Sequence, residues 1–218
     1  MSVILKQTLA GRYDDEFSSD QLEDLTLRKM SLDEYERLVE MGFFDEDERI
    51  ELLDGIVVEL ESLNARHADA IDSLNELLLA VIPLGGRIRI QSPIRLASAE
   101  SQPLPDVAVL ARQKNYGRRH PENSDVLLVV EVADSSLSKD RNRKRDLYAR
   151  TGIQEYWIVN LIDDQLEVYR EPDVKPNGNG FYHSRTIYLP GQMVTPLAFP
   201  TCEMDVATMF PEVGSDDL

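Results

Sequence analysis

The stretch that most limits how this chain can fold is "VLLVVEVA", Val126–Ala133. Seven of its eight residues are apolar, and they do not alternate with polar ones. A strand with one face in water alternates; a strand without alternation must be covered on both faces. The run therefore predicts a central strand of a sheet sandwiched between layers, which is an α/β arrangement. It also contains one residue that does not belong there. Glu131 sits among Val126–Val130 and Val132, and a buried carboxylate is expensive unless a partner favours its charge.

The rest of the chain supplies elements for such a sandwich. In "MSLDEYERLVEMG", Ser31 and Glu34 form a capping-box pattern, Leu32, Tyr35, Leu38 and Val39 make an apolar stripe, and Gly42 stops the helix. "RIELLDGIVVELE" reads as a β-hairpin turning at Asp54-Gly55. "ARHADAIDSLNELLLAVI" is a helix with Ala68, Ile71, Leu74, Leu78 and Val81 on one face. "GRIRIQSPIRLAS" alternates as a strand, with Pro93 marking a bend or an edge. "PDVAVLA" is a short strand, and "LSKDRNRKRDLYARTG" is a helix closed by Gly152. "EYWIVN" is a core strand, and "QLEVYREP" with "GFYHSRTIYLP" forms a final hairpin. The predicted class is α/β with a mixed sheet flanked by helices. Its organisation is an acidic arm over 1–28, a folded domain over 29–200 and a tail over 201–218.

Hydrophobic residues make up 42% of the chain, enough for a core. A lone cysteine, Cys202, excludes an intramolecular disulfide and fits a reducing compartment. No apolar run approaches the roughly 18 residues that span a bilayer. The opening "MSVILKQTLAGRYDDEF" has no secretory signal pattern, so the expected location is cytoplasmic. Net charge is -17, which argues against casual binding to polyanions. The charge is uneven, however. Residues 63–150 hold 14 basic and 11 acidic residues between strongly acidic flanks, leaving room for one basic groove. The three histidines, His67, His120 and His183, show no zinc-ligand spacing.

Three acids stand at positions that suit chemistry. Asp106 follows Pro105 at the mouth of a strand, where it either caps a turn or points into a cleft. Glu131 lies either on a solvent face or against a bound cation, which reverses the usual penalty for burying negative charge. Glu51 lies in the hairpin, where exposure is the plain expectation. Carboxylates converging on one point would make an oxygen-rich site suited to Mg²⁺. In the basic helix, Asp140, Lys144 and Tyr148 recur at i, i+4 and i+8 and share a face. Lys144 then lies on the inner side, or else Asp140 and Lys144 form an ordinary surface pair.

Taken together, "RIELLDGIVV", "LPDVAVL", "LLVVEVADSS" and "DRNRKRDLYARTGIQEYWIVN" resemble the Uma2 family, restriction-endonuclease-like proteins of the PD-(D/E)XK nuclease superfamily. The resemblance spans about residues 30–190 and is most distinctive at Gly152–Trp157. It implies a restriction-endonuclease-like fold and Mg²⁺-dependent hydrolysis of DNA phosphodiesters, with Mn²⁺ as a substitute ion. By position, it makes Asp106 and Glu131 metal ligands, Glu51 an additional acid at the metal, and Lys144 the catalytic lysine alongside Asp106 and Glu131. Arg118, Arg119, Lys139 and Arg143 are then expected to hold the substrate's phosphates. One departure stands out. The superfamily pattern has lysine two residues after the second acid, where this chain has Ala133, so the lysine comes from the following helix, with Lys139 in reserve. The alternative is a catalytically silent nucleic-acid-binding or regulatory module on the same fold. A homodimer is the expected assembly, by analogy with double-strand cutters.

Overall fold

The computed structural model describes residues 28–211 apart from 46–47, 61, 63, 83–84 and 113–115. Nearly all of the arm over 1–28, and the last seven residues of the tail, lie outside the described residues. Helix α1 (Leu32–Glu40) begins as its sequence requires. Ser31 Oγ accepts from the Glu34 N–H at 3.2 Å, and the Glu34 carboxylate accepts from the Ser31 N–H at 2.9 Å. Strands β1 (Ile50–Leu53) and β2 (Ile56–Glu59) form the expected hairpin. Its two turn residues have φ of 57° at Asp54 and 75° at Gly55, the left-handed pair that the right-handed twist of a hairpin selects. Helix α2 (Ala65–Val81) is capped by Asn64, whose side chain accepts from the His67 N–H at 2.8 Å.

The main sheet follows: β3 (Gly86–Ile90), β4 (Val107–Ala111), β5 (Val126–Ala133), β6 (Glu155–Asn160), β7 (Gln165–Val174) and β8 (Gly180–Tyr188). These six strands are ordered as numbered. Strands β5 and β6 run parallel, and the other neighbours are antiparallel. The connection between the parallel pair is a helical stretch over 137–150. A leading turn (Leu137–Lys139) passes through a π-helical turn (Asp140–Lys144) into α3 (Arg145–Arg150).

The lack of alternation in β5 has the anticipated cause. Leu128, Val130 and Val132 enter one core with α2, while Val129 and Ala133 enter another with Leu147 and Tyr148 of α3. The β1–β2 hairpin adds Leu53 and Val58 to the second core. The first core is closed by residues 193–209, of which the sequence places those after 200 in a tail. Strands β9 (Met193–Val194) and β10 (Met204–Asp205) pair, and a 3₁₀ turn (Val206–Met209) follows. Val194, Met204, Val206 and Met209 are all buried there, so packed structure continues past residue 200.

Two elements differ from expectation. The strand expected over 86–98 ends at Ile90, because Gln91 takes φ +41° and Pro93 has no N–H to offer a neighbour. Strand β3 is indeed an edge strand. The helix expected over the basic segment is broken by its π turn, which widens the coil at Asp140–Lys144.

The start of β8 packs tightly against α3. The Gly180 N–H donates to Asp146 Oδ1 at 2.8 Å, and a Cβ at Gly180 would run into the Asp146 carbonyl and the Arg150 backbone nitrogen. Backbone cannot move aside as a side-chain tip can. We therefore predict that Gly180→Ala destabilises the fold by about 1–3 kcal/mol, the usual penalty for overpacking. Urea unfolding of the variant checks this, and an unchanged midpoint would show that the contact relaxes.

Candidate active site

The register of β4 on β5 pairs Val107 with Val130. Asp106, one residue before β4, is thereby brought beside Glu131. The Asp106 N–H donates to Glu131 Oε2 at 3.4 Å, and the Val132 N–H donates to Asp106 Oδ2 at 2.9 Å. Both acids are buried, and both line the same cleft at the end of the two strands. Because side chains alternate along a strand, Glu131 shares the face of Val129 and Ala133, the face that α3 covers.

The helical stretch over that face supplies the counter-charge. Lys144 Nζ lies 2.9 Å from Glu131 Oε1 and 3.5 Å from Glu51 Oε2. The Tyr148 hydroxyl donates to the same Glu131 oxygen at 2.7 Å. Asp140 accepts from the Ser136 hydroxyl at 2.5 Å. Asp140, Lys144 and Tyr148 are all buried, so the inward face read from their spacing is the one formed. Glu51 comes from β1 and is fully buried. Its Oε2 accepts from the Leu104 N–H at 3.2 Å, and its Oε1 lies 3.6 Å from Lys139 Nζ. On the far side, His67 Nε2 lies 3.3 Å from Asp106 Oδ2, and Gln91 Nε2 donates to Asp106 Oδ1 at 3.2 Å.

Four carboxylates, Glu51, Asp106, Glu131 and Asp140, are thus buried around Lys144, which is itself only 3% exposed. Burial raises the Glu131 carboxyl above the usual carboxylate range; Lys144 opposes this, while Asp106, Asp140 and Glu51 add to it. Burial likewise raises Asp140, against the pull of Lys144 and Ser136. Asp106 goes the other way. Burial alone would raise it, but His67, Lys144 and the Val132 N–H outweigh that and hold it below its ordinary value. Burial would lower Lys144, yet Glu131, Glu51, Asp140 and Asp106 outweigh it, and the ammonium is held charged.

This surplus of negative charge bears on a bound cation. The donors are all oxygens, Asp106 and Glu131 stand side by side, and Glu51 Oε1 and Asp140 Oδ1 are buried without a hydrogen-bond partner. Such a set suits a hard divalent ion such as Mg²⁺. As the side chains stand, Asp106 and Glu131 form the pair able to hold it. Among the described residues no three His, Cys, Asp or Glu side chains converge as a metal cluster, and Glu51 is turned to Lys144 and Lys139.

The residues singled out in the sequence divide into two groups. Asp106, Glu131, Lys144, Glu51 and Lys139 are brought together. Arg118, Arg119 and Arg143 are not. Arg118 and Arg119 are exposed on the loop leaving β4 at the end away from Asp106, and Arg119 Nη1 is 2.7 Å from Asp125 Oδ2. Arg143 donates to the Leu53 carbonyl at 2.8 Å and lies 3.8 Å from Asp54, so it braces the hairpin. Sequence reasoning missed His67 and Gln91. His67 carries no local signal, since a histidine in the first turn of a helix is ordinary. Gln91 does carry one, as the last polar residue of the alternating "RIRIQ".

Comparison with known proteins is consistent with this geometry. The family model "Uma2: Putative restriction endonuclease" matches residues 32–207. Among solved structures, the chain is similar to a crystal structure of a "putative nuclease belonging to DUF820" from Anabaena variabilis ATCC 29413. The TM-score is 0.62 at 14% identity, covering 83% of this chain and 97% of that one. At that identity the likeness shows the fold alone, and the expected mixed sheet flanked by helices is borne out. No curated protein matches the chain.

Removing Lys144 would leave Glu131 buried without a counter-charge and Glu51 with Lys139 alone, 3.6 Å away. We predict that Lys144→Met destabilises the protein by about 3–5 kcal/mol, as when one partner of a buried ion pair is lost. Adding Glu131→Gln should recover part of that loss, a coupling that a double-mutant cycle by urea unfolding measures. Additive effects would show that the two groups do not depend on each other.

Proposed function

The chain belongs to the Uma2 family, and from that premise we propose that it is a Mg²⁺-dependent endonuclease hydrolysing phosphodiester bonds in DNA. The observation that carries the reading is the meeting of Asp106, Glu131 and Lys144, from a strand mouth, a strand interior and a helix, in one cleft. Asp106 and Glu131 would hold the ion. Once bound, the ion would polarise the scissile phosphate and lower the pKa of a water molecule.

The chain's own groups have distinct tasks. Asp106, kept ionised, is a ready ligand, and His67 and Gln91 orient its carboxylate. Tyr148 and Lys144 hold Glu131 Oε1, so its rotamer is set before substrate arrives. Lys144 is held charged, so it is no base for water at neutral pH. Its part is to offset negative charge that builds on the phosphate in the transition state. Glu51 and Asp140 keep that ammonium in place. Cutting both strands of a duplex in one binding event takes two such sites, and a homodimer would supply them.

Nicking of supercoiled plasmid with Mg²⁺ or Mn²⁺, and its loss with chelator, tests the reading. Asp106→Asn, Glu131→Gln and Lys144→Ala should each reduce cleavage by about 10²–10³-fold, the range for removing one preorganised charged or polar group. Wild-type protein that cuts neither DNA nor RNA with either ion would sink the proposal and leave the silent binding module.

A further inference from the structure

Strand β3 carries an arrangement that the proposed chemistry does not use. Its residues alternate strictly. Ile88 and Ile90 pack on the core beneath α2, so Arg87 and Arg89 project from the opposite face, and Gln91, just past the end of the strand, reaches Asp106. The register pairs Arg87 with Leu110 and Arg89 with Ala108, and the Gln91 N–H donates to the Asp106 carbonyl at 3.0 Å. These three side chains thus form a line on the same face as Asp106. Gln91 touches the Asp106 carboxylate, while Arg89 and Arg87 stand about 7 and 14 Å further along, at about 3.4 Å per residue.

The surroundings of these two arginines matter in a chain of net charge -17. Among the described residues neither makes an ion pair with a carboxylate. Instead both guanidinium groups lie over the ring of Tyr116, at 5.6 Å for Arg87 and 5.4 Å for Arg89, and Arg89 donates to the Tyr116 carbonyl at 3.3 Å. Tyr116 is buried, and its hydroxyl donates to the Ala111 carbonyl at 2.8 Å. The ring is therefore a fixed platform that holds two cations without neutralising them. Beyond Arg87, the line runs toward the end of the sheet where the loop bearing Arg118 and Arg119 leaves β4.

We propose that this face of β3 is a track for the phosphodiester backbone of the substrate strand, running from the cleft at Asp106 past Arg89 and Arg87. The inference rests on the nuclease reading of the cleft and names the residues that would set the strand's direction there. A strand's two-residue repeat, about 6.8 Å, is of the order of the step between successive phosphates on an extended nucleic-acid chain. Arginine suits the task because its planar donors match phosphate oxygens. Such contacts position the chain without reading its sequence.

The test measures binding separately from cleavage. Fluorescent duplex and single-stranded oligonucleotides of unrelated sequence are titrated with full-length protein carrying Glu131→Gln, over a range of salt. We expect R87A/R89A to weaken binding to every oligonucleotide alike. The slope of log affinity against log salt should fall by about two, one unit per lost phosphate contact. R87K/R89K should restore the slope, which a merely structural role would not produce. Arg66→Ala, on the exposed pair with Asp164, serves as the control and should bind as the parent does. Unchanged affinity and slope in R87A/R89A would overturn the track while leaving the nuclease reading intact. Arginine-dependent binding by a wild-type protein that never cuts would do the reverse. Failure of the Glu131→Gln parent to bind any oligonucleotide would overturn the track, and plasmid nicking by wild type would still decide the nuclease reading.

Discussion

Lys144 is the group on which the site depends. Its ammonium sits between two buried carboxylates, Glu131 and Glu51, in a region that also encloses Asp106 and Asp140. A buried ion pair is seldom a net gain in stability over well-packed apolar residues of the same volume. Four acids around one lysine are worse, since their mutual repulsion is only partly offset. An arrangement chosen for stability would have placed leucines here, as it does elsewhere in both cores. Retaining acids on so apolar a strand makes sense where the charge itself is used, and opposite shifts in neighbouring acids are typical of such places. Asp106 is held ionised while Glu131 is pushed toward protonation, although the two are in direct contact.

Other buried acids in the sheet show what a structural carboxylate looks like. Glu167 on β7 is fully buried and is met by Arg141, Arg185 at 3.0 Å and the Tyr169 hydroxyl at 2.6 Å. Glu155 on β6 accepts from Trp157 Nε1 and from Arg170, and its second oxygen accepts from the Leu197 N–H. In both, arginines and other fixed donors occupy the acceptor oxygens, and neither residue lines the cleft. Glu131 differs in its neighbours and in its access to a cleft. It is the difference between an acid that ties strands together and one that lines a cleft.

The contrast also explains how much could be read from the sequence. Glu131 was conspicuous because an unbroken apolar run leaves no polar face for it. Glu155 and Glu167 are no less buried, yet nothing in their local sequence marks them. Glu155 opens its strand and Glu167 sits in one that alternates, so local pattern offers a solvent face that tertiary packing then removes. The hairpin, the capped α1 and the central position of β5 follow from turn chemistry, capping and periodicity, all of them local. Glu51 shows where local reasoning stops. A hairpin residue is expected at the surface, but this hairpin lies on the sheet under the charged helix and its acid is sealed. The basic helix misled in the same way. Its charges look equivalent in sequence, whereas Arg143 braces the hairpin turn, Arg141 serves Glu167, and Lys144 alone reaches Glu131.

Ala133 shows why the ammonium beside Glu131 comes from a helix. It lies two residues past Glu131 on the same face, fully buried against the core that includes Leu137 and Leu147. A lysine there would have to bury its stem where α3 already packs. The small residue lets the helical stretch approach the strand closely, and that approach brings Lys144 and Tyr148 within hydrogen-bond distance of Glu131. The π turn at Asp140–Lys144 belongs to the same solution. Asp140 and Lys144 stay buried on the inward face through this turn, and Arg145 at once resumes α-helical geometry. Where the expected pattern has a lysine on the strand, this chain thus has Ala133, and a helical stretch delivers the ammonium to Glu131 instead.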